Sequence, residues 1–447
     1  MNQEINNLLE KNIEYAKLNA DQAELILTKG TSFSTSSFNG KTDKLSINQG
    51  NTLGVRVIKN GKVGISYSED LSDQSIKTSI DQAVKNSEIM KEEPHEKIIG
   101  ESSTLENIHE KNQLTIESSA EEKVDLSIRL EKEILALDKK IKSAPYNGVS
   151  EGTSEYYNFN TEGLKAFEKS GSVGCYTSCL MEEGTQNGMH YKSSSARNIN
   201  ELEVDFVINE SYKKAKALFD ATEVKSGEYD VIFSPNTLSS LFSIFSIIYS
   251  GKATAEDKNP LKSKLGHRIF DERFSMIDDP TYDLAMNYFL FDSEGMTQRP
   301  ITLFENGVYK NVYHNSKTSS ELKTKNNFRA SRGARGSLST SSTNMIISST
   351  SSVSEDELLH TTPVVEIFSI QGAHSGADAI SGNFSFGASG ILKEGNKETP
   401  IKGFTISGNF YSMMNSIHSF GDKVHSDSGK SFFSPLIKFN KLHLSGS

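Results

Sequence analysis

The sequence holds 447 residues, 35% of them hydrophobic and 24% charged, and acids exceed bases to give a net charge of −10. That size predicts two or three domains rather than one core, and the composition excludes a disordered chain. An acidic surface repels phosphate backbones, which argues against direct nucleic-acid binding, and two cysteines, Cys175 and Cys179, are too few for a disulfide framework.

Residues 1–18 place Ile5, Leu8, Leu9, Ile13 and Ala16 on one helical face and lack the apolar stretch of a secretion signal, so a cytoplasmic chain is expected. Four runs, AELILTK, TSFSTSSF, KLSINQG and LGVRVIK, read as strands, and Asn60-Gly61 predicts a hairpin into KVGISYS. Ser72–Met90 returns to helical spacing, and the polar, proline-marked stretch 91–120 reads as a linker or surface excursion. A helix over Ala120–Ile141 carries Val124, Leu126, Ile128, Leu130, Ile134 and Leu137. Strands around SEYYNFNTEG and GSVGCYTSCLMEEG follow, then a turn at Asn187-Gly188 and a helix over Glu201–Ala221.

From EYDVIFSP onward short strands dominate, interrupted by the apolar run Leu238–Tyr249, well under the ~20 residues of a membrane span. The Ser/Thr-rich stretch SRGARGSLSTSSTNMIISSTSSVSEDE predicts a mobile excursion on the surface. The expected fold is α+β. An N-terminal α/β half of helices and antiparallel strands covers 1–221, with two sub-units split near 91–120, and a β-rich, barrel-like half covers 222–447.

Ten histidines are scattered, none in an HExxH or HExxxH motif, so the residues nominate no catalytic zinc site. His418 and His425, with Asp422 between them, read as solvated loop residues, and Cys175 and Cys179 as apolar packing on one strand face. There is no G-x-S-x-G elbow. In Gly372-Ala373-His374-Ser375-Gly376, neighbouring strand residues point to opposite faces, which argues against a Ser–His pair. Asp427-Ser428-Gly429-Lys430-Ser431 ends like a phosphate-binding loop but lacks the first glycine and the helix that should follow. Asp278-Asp279-Pro280 reads as an acidic turn. Lys310, Lys317, Lys323, Lys325, Arg329, Arg332 and Arg335 read as a solvated basic face or a dock for an acidic partner.

Two glycine-bearing strands, SGNFSFGASGIL and IKGFTISGNFY, carry a more specific signal. Together with NTLGVRVIKNGKVGISYSEDLSDQSIKTSIDQAV, GEYDVIFSP, KSKLGHRIFDERFSMIDDPTYD and LFENGVYKNVYHNSKTSSELK, they resemble the TldD/PmbA family, peptidases once called modulators of DNA gyrase. The resemblance runs from about Leu53 onward and implies a two-subunit cytoplasmic peptidase that trims unfolded or precursor peptides. TldD carries HExxxH and a later cysteine that bind the metal; PmbA, also called TldE, lacks them. Here the HExxxH positions read Ser243, Ile244 and Ile248, and Ser428 stands where the cysteine would precede Gly429-Lys430. Isoleucine neither holds zinc nor exchanges a proton.

The resemblance therefore implies a PmbA-like subunit without metal or cofactor, pairing with a TldD-type subunit or with itself and helping to hold an extended peptide. Asn383, Phe384, Ser385 and Gly387 are the expected backbone edge for that peptide. Two rival readings are a self-sufficient hydrolase with Ser375 or Ser428 as nucleophile, and a non-catalytic binding or scaffold homodimer. Neither nucleic acid nor membrane is expected as a partner.

Overall fold

Two Asn-Gly turns build the first sheet. Asn39-Gly40 joins β1 (Gln22–Phe38) to β2 (Lys41–Lys59), and Asn60-Gly61 joins β2 to β3 (Lys62–Ser68). Both pairs hold positive φ, 53° and 69° in the first and 50° and 70° in the second, as a tight two-residue hairpin requires. The four short strands expected before Asn60 are thus two long ones, with Gly30 and Gly50 opposite each other in a ribbon that passes through them without turning. The computed structural model describes residues 2–100, 103–360 and 363–446.

Helix α1 (Gln3–Lys17), capped by Asn2, and α2 (Asp73–Glu88), capped by Ser72, pack Leu9, Ile13, Ile76 and Ile80 against Leu25, Leu27, Val55 and Val57. The sheet then continues from β1 into β6 (Asn147–Asn160) and β7 (Lys165–Glu183). With β4 (Thr104–Asn107), β5 (Ile141–Ser143) and β8 (Gln186–Ala196) all paired to β7, it has eight strands. Helix α3 (Ala120–Ala136) starts at a Ser119/Glu122 capping box and stops short of Ile141. It turns Lys123 and Glu131 inward beside Leu130 and Ile134; Glu131 accepts the backbone N–H groups of Asn39 and Gly40 at 2.8 and 3.1 Å, tying the helix to the first hairpin.

Helix α4 (Val204–Phe219) corrects another expectation. The β7–β8 turn lies at Gly184, while Gly188 sits inside β8, where a Cβ would come within 2.3 Å of Ala215 O on α4. Glycine is there for close approach, not for turning. Nor is 91–120 a free linker: it contributes β4, and the buried Asn107 and Asn112 both donate to Tyr288 O, at 2.9 and 2.7 Å. Glu101 and Ser102 within that stretch lie outside the described residues.

The second sheet begins with β9 (Gly227–Phe233), β10 (Phe274–Asp278), β11 (Ile301–Glu305) and β12 (Val308–Tyr309). A separate two-residue pair follows, β13 (Ala330–Ser331) with β14 (Ser339–Thr340). It resumes with β15 (Met345–Ser349), β16 (Val364–Gln371), β17 (Asn383–Glu394), β18 (Lys397–Asn409), β19 (Ile417–Ser426) and β20 (Phe432–Ser445). Strands β9, β16, β17, β18 and β20 close on themselves, because β20 pairs with both β18 and β9. The architecture is therefore α+β with a barrel-like C-terminal half, as the strand series predicts. Helix α5 (Pro235–Ile244) and the short α6 (Gly251–Ala255), α7 (Ser316–Glu321), α8 (Glu355–His360) and α9 (Phe410–Met414) complete it.

The Ser/Thr-rich stretch 331–357 is not a surface excursion: β15 sits between β10 and β20 inside the sheet. The expected solvated basic face is likewise dispersed. Arg329 and Arg332 are buried, paired with Asp278 and Glu24, and Lys317 holds Glu93 and Glu96 at 2.9 and 3.2 Å. Asp278, fully buried, belongs to no surface turn. Cys175 and Cys179 pack in the core as expected, and burial pushes their thiols up to about 11 and about 12.

Candidate functional site

Pro235 fixes the first turn of α5, and Leu238, Leu241 and Phe242 pin the helix to the barrel core. The helix ends at Ile244 instead of continuing to Ser250. Phe245 leaves the helical region (φ −92°, ψ 18°) as its ring stacks 4.4 Å from Phe410, and a tighter turn covers Ser246–Tyr249. The serine stripe survives the break: Ser239, Ser243, Ser246 and Ser250 line a groove of about 600 Å³. Thr340–Thr343 and Ser431 add further hydroxyls, Ile244, Ile247 and Met345 add apolar surface, and the buried Phe242, Tyr249 and Phe432 form its floor. Among the described residues no charged side chain lines it.

Two carboxylates stand behind the lining. Asp278 accepts from Tyr313 Oη at 2.8 Å, the Thr343 amide at 2.8 Å and Thr343 Oγ1, and Arg329 balances its charge. Asp427 accepts from Ser239 Oγ at 3.2 Å and the Ser431 amide at 2.9 Å. Tyr249 is 2% exposed, its hydroxyl has no hydrogen-bond partner among the described residues, and burial raises its pKa well above the ordinary phenol value.

Of the positions the family pattern singles out, Ser243 and Ile244 line the groove. Ile248 does not. It is buried in the core, its carbonyl accepting from Asn259 Nδ2 at 3.2 Å and from Tyr309 Oη. A register one residue earlier, Phe242, Ser243 and Ile247, keeps the HExxxH spacing and lines the groove throughout. Ser428 lies in the β19–β20 turn; its N–H donates to Asn236 Oδ1 at 2.7 Å, and its Oγ accepts from Asn236 Nδ2 at 3.0 Å and Lys192 Nζ at 3.1 Å. Asn236 precedes Ser243 by seven positions, about 10 Å along a helix axis. Serine and isoleucine at that separation do not fit a zinc site, and among the described residues no three His, Cys, Asp or Glu are grouped to hold a metal.

The other candidates are dispersed. His425 Nε2 pairs with Glu355, and His418 is exposed. His374 and Ser375 sit in a turn rather than on a strand, with Ser375 Oγ 3.5 Å from Gly372 O. The backbone edge expected over Asn383, Phe384, Ser385 and Gly387 is closed within the chain. β18 pairs with one side; on the other, Ser385 N donates to Gly376 O at 2.7 Å, Asp378 N donates to Asn383 O at 2.9 Å, and Gly387 faces Gln371 of β16. Phe384 is itself buried. No local motif marks the Thr340–Thr343 lining or Tyr249 as site residues; the hydroxyl density of 331–357 is the signal the sequence offers. Among the described residues no helix is long and apolar enough to cross a membrane.

Three family models match this chain: the PmbA/TldA metallopeptidase domain 1 over 23–87, the central domain over 115–219 and the C-terminal domain over 226–446. The chain is 25% identical over 411 residues to an uncharacterized protein of Methanocaldococcus jannaschii, covering 91% of this chain and 92% of that one. It is 23% identical over 448 residues to Metalloprotease PmbA of Escherichia coli O157:H7, covering 96% and 94%. Its fold is similar to the crystal structure of TldE from Thermococcus kodakarensis, with a TM-score of 0.87 at 20% identity over 98% of this chain and 100% of that one. The C-terminal match contains every residue that lines the groove. The chain belongs to the PmbA/TldD metallopeptidase family.

Proposed function

We propose that this chain is the metal-free, PmbA-like subunit of a TldD/PmbA-type cytoplasmic peptidase. In this reading it pairs with a metal-bearing TldD-type subunit, or with itself, and helps hold unfolded or precursor peptides for trimming. One observation carries the reading: the groove at Ser243, Ile244 and Ile247 has room for a peptide segment but, among the described residues, no His, Cys, Asp, Glu or Lys in its lining to bind a metal or serve as general base. Chemistry then falls to the partner, while this chain binds and orients. The purified chain is expected to carry no stoichiometric zinc by elemental analysis and to leave an unstructured polypeptide intact. Cleavage by a TldD-type partner is expected to rise when the chain is added. Sedimentation as a monomer, alone and with that partner, would remove the reading.

A self-sufficient hydrolase is favoured by one contact, Lys192 Nζ on Ser428 Oγ, with burial lowering the lysine's pKa. Asn236 holds the same oxygen, which ranks this second. A serine-directed fluorophosphonate that labels the wild type and spares Ser428→Ala would reverse the ranking. We further propose 1–221 and 222–447 as the folding units, to be tested by limited proteolysis.

A further inference from the structure

We propose that the groove is a neutral-peptide site: it binds extended segments whose side chains are small or apolar and rejects segments that place a charge in it. The use of such binding rests on the subunit reading above; the binding itself needs no partner.

Nine serine and threonine residues line the groove. Ser239, Ser250, Thr343 and Ser431 use their hydroxyls within the chain, on Asp427, on the first turn of α6, on Asp278 and on Asp427 again. The exposed hydroxyls of Ser243, Ser246, Ser341 and Ser342 have no such partner among the described residues. A hydroxyl both donates and accepts, so this row suits the alternating N–H and C=O groups of a peptide. Tyr249 adds a buried, unpartnered hydroxyl, a polar atom whose burial is compensated only when another polar group meets it. Ile244, Ile247 and Met345, each partly exposed, offer apolar surface to side chains, and about 600 Å³ falls within the range of ligand clefts.

Charge is excluded by what stands behind the lining. Asp278 is matched by Arg329 and filled by Tyr313 and Thr343, and Asp427 is filled by Ser239 and Ser431. A ligand cation would have to break these contacts to gain a counter-ion, and among the described residues a ligand anion meets no lysine or arginine in the lining. An unpaired charge in such a site costs far more than an apolar side chain of the same size.

The test is fluorescence anisotropy of the purified chain with labelled, end-blocked peptides of Ala, Ser and Val that differ only in a central Leu, Lys or Glu. The Leu peptide is expected to bind, with the Lys and Glu peptides about tenfold weaker or more. Ser243→Asp is expected to weaken the Leu peptide and restore the Lys peptide, and Ser246→Arg to restore the Glu peptide. Equal affinity for all three, indifference to both substitutions, no peptide binding, or displacement only by a neutral oligosaccharide would overturn the proposal. Sedimentation of the same preparations with a TldD-type chain separates the two ideas. Association without peptide selectivity removes the groove proposal alone, and selectivity without association removes the subunit reading alone.

Discussion

Replacing Arg329 by methionine tests whether buried charge holds the groove in shape. Arg329 and Asp278 are both fully buried and meet at 2.9 Å, and Arg329 also donates to the carbonyls of Arg299 at 2.7 Å and Phe328 at 3.1 Å. Methionine keeps much of the volume but removes the charge and every side-chain donor, leaving the Asp278 carboxyl with only Tyr313 and Thr343. Stranding one member of a buried pair costs about 3–5 kcal/mol, a shift of between roughly a hundredfold and several thousandfold in the folding equilibrium. The double variant Arg329→Met/Asp278→Asn no longer strands a charge, so it is expected to be at least about 1 kcal/mol more stable than the sum of the single variants. Urea unfolding followed by circular dichroism measures this, since the chain has no tryptophan. A loss below about 1 kcal/mol for Arg329→Met, the scale of an exposed pair, would refute the reasoning, as would strict additivity.

Burial raises Asp292 to about 6 and Glu294 to about 7, above their unfolded values near 4, so the folded chain holds protons that the unfolded chain has released. Their stabilising contribution, complete below about pH 4, is lost as pH rises through 6 and 7. Asp292→Asn/Glu294→Gln is therefore expected to gain stability relative to wild type across that window, and parallel urea midpoints would contradict it. The thiols of Cys175 and Cys179, pushed up by burial, are expected to resist iodoacetamide at pH 8 in the folded chain and to react in urea; free-thiol rates without urea would contradict this. Gly188→Ala would place a methyl 2.3 Å from Ala215 O and 2.4 Å from Phe219 N, backbone atoms that cannot rotate away. A loss of about 1–3 kcal/mol is expected, and an unchanged melting temperature would count against it.

Local rules made part of this molecule legible. Helical spacing marks α1 and α2, Asn60-Gly61 marks a hairpin, and the run of short strands announces the barrel. The same rules misfire where a distant element decides. Asn187-Gly188 looks like a turn until α4 is laid against it, and Asn39-Gly40 hides as a turn behind the weaker glycines at 30 and 50. The basic stretch reads as solvated because its partners are remote: Glu24 lies 308 positions before Arg332, a separation no window of sequence can join. At the groove the serine stripe was readable, but its other half came from a segment whose composition suggested only solvent. Nor does the sequence show the break at Phe245, which turns Ile247 rather than Ile248 toward the groove.

Strand β20 hydrogen-bonds to β9, β15, β18 and β19, which makes a late stretch of chain the keystone of the second sheet. On the ribosome this imposes an order of events. At about 5–20 residues per second, the roughly 200 residues that separate Phe233 from Phe432 take some 10–40 s to make. Throughout that interval β9 presents to solvent the edge that β20 will later cover, and such an edge is a template for wrong pairing. The yield of folded chain is then governed by how well that edge is sheltered while it waits, a kinetic quantity that the stability of the closed barrel does not report.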